Sequence, residues 1–308
     1  IRDESLRLVG SEMCIRDRSA VVDYCLDLLR AARDEHLAAG GSPPVALGIA
    51  APGPVDPRIG AFVDPPNMGE AFFGFPIAPA LGKVLGLPWA MDKDTNVAIL
   101  GERDFGAGEG SGDLIYLTIS TGVGGAALSG GRPVVGPELV AGELGHMTVD
   151  MNGPLCGCGG VGHVEAFASG TGIAAAARVV LDEGDEAPEL RRLAAEIAPA
   201  PLTAVQVSQA ADLGDPAATV ILARARRAVA VAVVSIVNVF GPDVVILGGA
   251  ITLAWGERLI APAREAVAES AFRIQAERVR VVQAALGDDV GLIGTVPLVA
   301  SALPELAR

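Results

Sequence analysis

The sequence predicts an α/β protein of two domains, and three observations carry that prediction. Its 308 residues exceed the ~250 at which single hydrophobic cores stop growing. Segments with strand-like and helix-like apolar spacing alternate along the chain, the pattern of sheets covered by helices. Apolar residues make up 51% of the chain and aromatic ones only 4%, with 39 glycines, a composition suited to closely packed helices and sheets. Two domains commonly leave a cleft between them, and clefts bind ligands.

In order, IRDESLRLVGSEMCIRDR (1–18) stands apart. It is charged, has no signal-peptide apolar core and differs abruptly from the Ala-rich sequence that starts at Ser19, so it is set aside as a non-native tail, a natural basic helix being the other reading. From Ser19, AVVDYCLDLLRAARDEHLAAGG has helical period and stops at Gly40-Gly41. PVALGIAAPGPVD is a buried strand running into a Gly/Pro loop, and FVDPPNMGEAFFGFP is loop-rich. KVLGLPWAMDKDTN ends a helix and carries a strand into a polar turn, after which NVAILGERDFGAG returns to helix.

A second α/β unit starts at DLIYLTIS (113–120) and continues as a Gly-rich hairpin, TGVGGAALSGGRPVVG. GELGHMTVD and a cysteine cluster lead to a helix from about Glu165, and residues 183–215 are acidic, helical and punctuated by proline. The long helix DPAATVILARARRAVAVAVVSIVNVF opens on Asp215-Pro216, a cap followed by a first-turn proline. PDVVILGGAI is a strand ending in a glycine turn, and LGDDVGLIGTVPLVASAL is a closing helix. The chain has no fixed-period repeat and no low-complexity linker.

Charge and composition exclude several partners. A net charge of −14 is the opposite of what a nucleic-acid face needs, and the scarcity of aromatics argues against base stacking. Phosphates would have to be held locally, by backbone N–H groups, helix N-termini and a metal ion. The longest apolar run, AVAVAVVSIVNVF at 228–240, is thirteen residues, short of the ~18–20 that cross a bilayer, so no membrane role is expected. Four cysteines without even spacing do not make a secreted disulfide framework. A C-x-C pair in a chain this long points to metal or redox chemistry in a reducing compartment, which makes the cytoplasm the expected location.

Three constellations can carry chemistry. TISTGVGGA (118–126) ends a strand in a Ser/Thr pair and three glycines. Backbone N–H groups at Gly122, Gly124 and Gly125, with the hydroxyl of Ser120 or Thr121, suit a phosphate cradle, and a ligand-free hairpin turn suits the same residues. Asp94, in MDKDTN, stands at a strand-to-helix junction; a carboxylate there either takes a proton from a hydroxyl nucleophile or caps the following helix, the commoner role. The decapeptide CGCGGVGHVE (156–165) concentrates Cys156, Cys158 and His163, with His146 ten residues upstream in GELGH. Two thiolates and two imidazoles fit a closed tetrahedral Zn²⁺ site that pins a Gly-rich loop, the alternative being two unrelated thiols in a glycine turn. Glu143 and Glu165 bracket the cluster, as acceptors for vicinal sugar hydroxyls or as plain surface carboxylates.

In this order, GIAAPGPVD, PPNM, DKDTN, TGVGGAALSGGRPVVGPELVAGELGH, CGCGGVGHVE and VVILGGAI resemble the ROK family of bacterial sugar kinases and sugar-responsive repressors, from about Val45 onward. The resemblance implies an actin-like ATPase (ribonuclease H-like) fold of two α/β domains flanking a cleft. The small domain would take 19–112 with 286–308, and the large one, carrying the zinc loop, 113–285. It implies ATP with Mg²⁺ as phosphoryl donor, a hexose or N-acetylhexosamine as acceptor, structural Zn²⁺ on His146, Cys156, Cys158 and His163, and a homodimer. It makes Asp94 the catalytic base and Asn67, Glu143, His146 and Glu165 sugar contacts. Thr121, Gly122, Gly124 and Gly125 would lie at the second phosphate loop and Gly248 and Gly249 at the adenosine.

Three departures qualify these implications. His163 stands where the family usually has a third cysteine, so a Cys₂His₂ site is expected. Lys93 stands where the family's kinases carry Asn, a sugar ligand; lysine only donates, so acceptor preference should differ, and its charge should hold Asp94 ionised but less basic. The family's Asp-x-Gly-x-Thr hairpin has no match before Ser19, so the resemblance implies missing N-terminal strands and weak or no phosphate transfer. The sugar-sensing part of a ROK repressor and a non-catalytic sugar binder are the alternative functions.

Overall fold

The structure is a computed structural model that describes residues 18–65, 68–184 and 186–307. The chain forms two compact units: one runs to Val97 and resumes at Gly294, and the other is Ala98–Ile293. Both divisions fall inside helices, Asp94–Phe105 and Val290–Ala302.

The first unit begins with α1 (Arg18–Ala38), followed by β1 (Leu47–Ala51), the short β2 (Val55–Asp56) and β3 (Ala61–Phe62), α2 (Ile77–Leu85) and β4 (Trp89–Lys93). Of residues 1–18 only Arg18 is described, and it opens α1, one residue earlier than the sequence pattern predicts; the expected absence of N-terminal strands lies outside the described residues. β1 and β4 pair in parallel from Leu47↔Trp89 to Ala51↔Lys93, and β2 pairs antiparallel with β3. The core gathers Leu26, Leu47, Val55, Phe62, Phe72, Leu81 and Met91. Phe72 is fully buried and meets Phe62 and Phe75 edge-on at 6.0 and 5.9 Å, the arrangement aromatic quadrupoles favour.

DKDTN is not a turn. β4 ends at Lys93 and α3 (Asp94–Phe105) starts at the next residue. The carboxylate of Asp92 accepts the Lys93 N–H at 2.7 Å and the Asn96 amide at 2.9 Å, so side chains satisfy the polar groups that a loop would have left to water.

The second unit is built on β5 (Leu114–Ile119), β6 (Val123–Ser129) and β7 (Arg132–Pro133). α4 (Val164–Ala168), α5 (Gly170–Glu183), α6 (Pro188–Ile197), α7 (Ala204–Asp212) and α8 (Pro216–Phe240) follow. β8 (Val244–Gly248), α9 (Ala250–Trp255), α10 (Glu257–Ser270), α11 (Arg273–Ala276) and β9 (Arg280–Gln283) complete it, and α12 (Val290–Ala302) carries the chain back into the first unit. The sheet order is β7-β6-β5-β8-β9. β5, β8 and β9 run parallel, whereas β6 and β7 are antiparallel additions. β8 is buried at every residue, as expected of a central parallel strand covered on both faces.

The single helix expected from Glu165 is two. Ser169 is extended (φ −71°, ψ 159°) and its hydroxyl accepts the Gly172 N–H, so it ends α4 and caps α5. Asp215 does the same for α8, accepting Ala218 N–H at 2.9 Å and also Leu190 N–H from α6 at 3.1 Å. Among the described residues, no helix is long and apolar enough to cross a membrane.

Candidate functional site

The loop from Gly142 to His163 brings the predicted metal ligands together. One donor atom from each of His146, Cys156, Cys158 and His163 lies within 4.8 Å of the others. The nearer pairs are Cys158 Sγ to His163 Nδ1 at 3.2 Å and Cys156 Sγ to His146 Nδ1 at 3.8 Å. Tetrahedral zinc with its usual Zn–S and Zn–N bonds spaces its ligands about 3.4–3.8 Å apart, so this donor set fits Zn²⁺ in kind, and its two nearer pairs lie close to that spacing. Both imidazoles turn Nδ1 toward a thiol, which leaves Nε2 of His146 for another partner.

Glycine makes this arrangement possible. A side chain at Gly160 would stand 2.2 Å from the His163 ring, and one at Gly162, where φ is +68°, would meet the Asp150 carbonyl at 1.6 Å. Two isolated bridges, Thr148↔His163 and Leu155↔Val161, are the regular pairing in the loop. Cys156 is buried and Cys158 exposed, and none of the three described cysteines is in a disulfide. Burial above all pushes the Cys156 thiol up to about 11; the Cys158 thiol and the Glu165 carboxylate add to this, and the Cys158 backbone N–H opposes it. A dication reverses that balance, because coordination deprotonates a thiol outright.

Glu165 links the loop to the glycine hairpin. Its Oε2 accepts the Val123 N–H at 2.9 Å and its Oε1 lies 3.4 Å from Cys156 Sγ. A side chain at Gly122 would approach Oε2 to 2.8 Å, so glycine there lets the carboxylate lie over the turn. Glu143 is exposed and immediately precedes the short 3-10 turn Leu144–His146.

Of the predicted phosphate-loop residues, Thr121 and Gly122 form the β5–β6 turn, closed by Ser120 N–H to the Gly122 carbonyl at 2.9 Å. Gly124 and Gly125 lie in β6 instead, paired with Thr118 and Leu117, and Gly125 gives Leu144 its packing space. The carbonyls of Ser120 and Thr121 take the first N–H groups of α5, from Gly170 and Thr171. Gly248 ends β8, and Gly249, with φ +87°, brings its backbone against Ile119 so closely that a Cβ would lie 2.5 Å from that carbonyl oxygen. Thr121-Gly122 and Gly248-Gly249 thus stand at the carboxyl ends of the parallel strands β5 and β8, where α/β sheets bind ligands.

In the first unit, Asp94 is the exposed first residue of α3. Its carboxylate accepts the N–H of the next residue, Thr95, at 2.7 Å. That is not the reach of a cap, which spans two or three residues. Lys93 is only 7% exposed, its stem packed where a side chain at Gly53 would stand 2.7 Å away. Asn67 lies outside the described residues. Sequence reasoning also leaves unassigned Glu102, which is fully buried; two of its partners, Ala285 and Leu286, are remote in sequence, and nothing local signals them.

The ROK family pattern matches residues 21–302. A glucokinase of Thermotoga maritima is 34% identical over 256 residues, 82% of this chain and 78% of that protein. An N-acetylmannosamine kinase of Escherichia coli is 32% identical over 291 residues, 93% of this chain and 91% of that protein. The solved structure of a ROK family glucokinase from Streptomyces griseus in complex with glucose and AMPPNP aligns with a TM-score of 0.74 at 28% identity, covering 92% of this chain and 88% of that one. The two α/β units thus have the actin-like ATPase fold of the ROK kinases. With its fold and most of its length in common with these proteins, the chain belongs to the ROK family.

Proposed function

We propose that this protein is an ATP-dependent kinase of a hexose or N-acetylhexosamine, glucokinase-like in type. The observation that carries this reading is the position of Asp94: an exposed carboxylate at the carboxyl end of a parallel strand, on the first turn of a helix. A base there needs placement more than strength, because phosphoryl transfer is dominated by positioning and charge stabilisation. Asp94 takes the proton of the acceptor hydroxyl, while Glu143, Glu165 and Nε2 of His146 hold neighbouring hydroxyls and Asn67 and Lys93 complete the sugar contacts. The hairpin at Thr121 and Gly122, with Gly124 and Gly125 behind it, faces the phosphates, and Gly248-Gly249 the adenosine.

ATP with Mg²⁺ supplies the phosphoryl group and its counter-charge. Zn²⁺ on His146, Cys156, Cys158 and His163 supplies no chemistry; it fixes the loop that carries the sugar contacts. Cytoplasmic residence and a homodimer complete the reading, supported by the C-x-C spacing and the family resemblance.

The test is ADP release coupled to a dehydrogenase across glucose, mannose, N-acetylglucosamine and N-acetylmannosamine. Asp94→Asn should lower turnover by about 10²–10⁴-fold, the range of a lost general base, and leave sugar binding nearly intact. Equal turnover by the variant and the parent would sink the assignment. The buried Lys93 beside Asp94 favours a second reading, a sugar binder without catalysis, which predicts calorimetric sugar binding with no ADP released.

A further inference from the structure

Glu102 is 0% exposed and sits in the part of α3 that belongs to the second unit. Burying a carboxylate is costly unless its oxygens are fully engaged. Here three backbone donors engage them: Ala107 N–H to Oε2 at 2.7 Å, Ala285 N–H to Oε2 at 3.1 Å and Leu286 N–H to Oε1 at 2.9 Å. The GERDFGAG stretch is shaped for this grip. A side chain at Gly106 would stand 2.2 Å from Oε2, and one at Gly108 would stand 2.1 Å from Leu114.

The held segment matters because of what it continues. Ala284 N–H donates to the Leu247 carbonyl at 2.8 Å, extending the β8–β9 pairing one step beyond Leu247↔Gln283. Ala285 and Leu286 therefore leave the sheet beside the end of β8, where Gly248 and Gly249 lie. A single carboxylate from α3 closes the carboxyl ends of β8 and β9.

We propose that Glu102 is a positioning residue for the nucleotide: it fixes the backbone at Ala285-Leu286 as one wall of the adenosine site beside Gly248-Gly249. This inference rests on the kinase reading above. It predicts that losing the carboxylate loosens nucleotide binding and spares sugar binding, a split that general destabilisation would not produce.

The experiment is calorimetric titration of Mg²⁺–AMPPNP, and separately of glucose, into the full chain and into Glu102→Gln and Glu102→Ala, with hydrogen exchange followed at the amides of Ala107, Ala285 and Leu286. Glu102→Ala should bind AMPPNP about tenfold or more weakly, the scale set by one buried amide left without its acceptor. Glu102→Gln, which keeps one acceptor oxygen, should fall between, and both should expose the three amides to faster exchange while glucose affinity stays within about twofold. AMPPNP affinity unchanged in a variant with faster-exchanging amides overturns the proposal, as does equal loss of glucose and nucleotide. If Glu102→Ala does not fold, Glu102→Gln decides alone. A parent chain that binds glucose but not AMPPNP sinks the kinase reading itself, and this inference with it.

Discussion

The cysteine–histidine loop and the β4–α3 junction solve the same problem, fixing the polar side chains proposed to meet a ligand, by opposite means. At the junction, regular structure does the fixing. Asp94 is the first residue of a helix, the preceding strand is paired along its length, and the backbone N–H groups of Lys93 and Thr95 are met by Asp92 and Asp94. The loop has two isolated bridges and little core; Met151 and Leu155 are 85% and 72% exposed. Its order comes from four converging donors and from glycines that make room for them. Function at the junction should therefore survive loss of the metal, whereas the loop should lose its shape and its ligand together.

The largest effect expected of that contrast comes from Cys156→Ser. The parent should carry about one zinc per chain, as a closed four-ligand site requires, and the variant should lose it, with glucose affinity falling by about 10–100-fold. Elemental analysis and calorimetry on the same samples check both, and Asp94→Asn, measured alongside, should keep its zinc and its sugar affinity. Zinc-free protein that grips glucose as tightly as the parent would erase the distinction between the two regions.

A smaller and sharper effect is expected of Gly160→Ala. Its methyl group would collide with the His163 imidazole, which can swing aside, and not with backbone. Zinc affinity should fall about tenfold as one ligand is displaced, with the melting temperature of the metal-free protein unchanged. Full retention of zinc affinity, read by competition with a chelator, would show that His163 does not need its present position. Gly162→Ala is the contrasting case, since its methyl group meets the Asp150 carbonyl and its φ is +68°; backbone must move there.

How legible each region was in the sequence depends on the same difference. The loop advertised itself, because cysteine and histidine are rare in this chain and four fell within eighteen residues, His146–His163. Its glycines were legible as a group but not one by one, since the space at Gly160 depends on a ring three residues away. The junction was half legible: Asp94 stood out, but DKDTN reads as a turn from composition, and only the pairing of β4 with β1 shows that the strand runs into the helix without a break. Glu102 was opaque because its partners at Ala285 and Leu286 are 183 and 184 residues away. β9 and the short α9 and α11 went unread because four to six residues hold too little periodicity to register.

The smallest effect tests the junction's claim to stand without help. Burial raises the pKa of Asp92 above its ordinary 3.8, only partly offset by the Asn96 amide, the Lys93 N–H and the Lys93 charge. A carboxyl with a raised folded value holds its proton longer in the native state, so its contribution is most favourable below the unfolded value and is lost as pH rises through the folded one. At neutral pH the junction carries the full cost of an ionised, half-buried Asp92. Asp92→Asn keeps an oxygen for the Lys93 and Asn96 donors and removes the charge. Its melting temperature should exceed the parent's modestly at pH 7 and converge with it toward pH 3. A variant that is less stable at pH 7 would mean that the carboxylate's charge, through Lys93, holds the junction together, and the junction would then depend on a specific ionic partner just as the loop is proposed to depend on Zn²⁺.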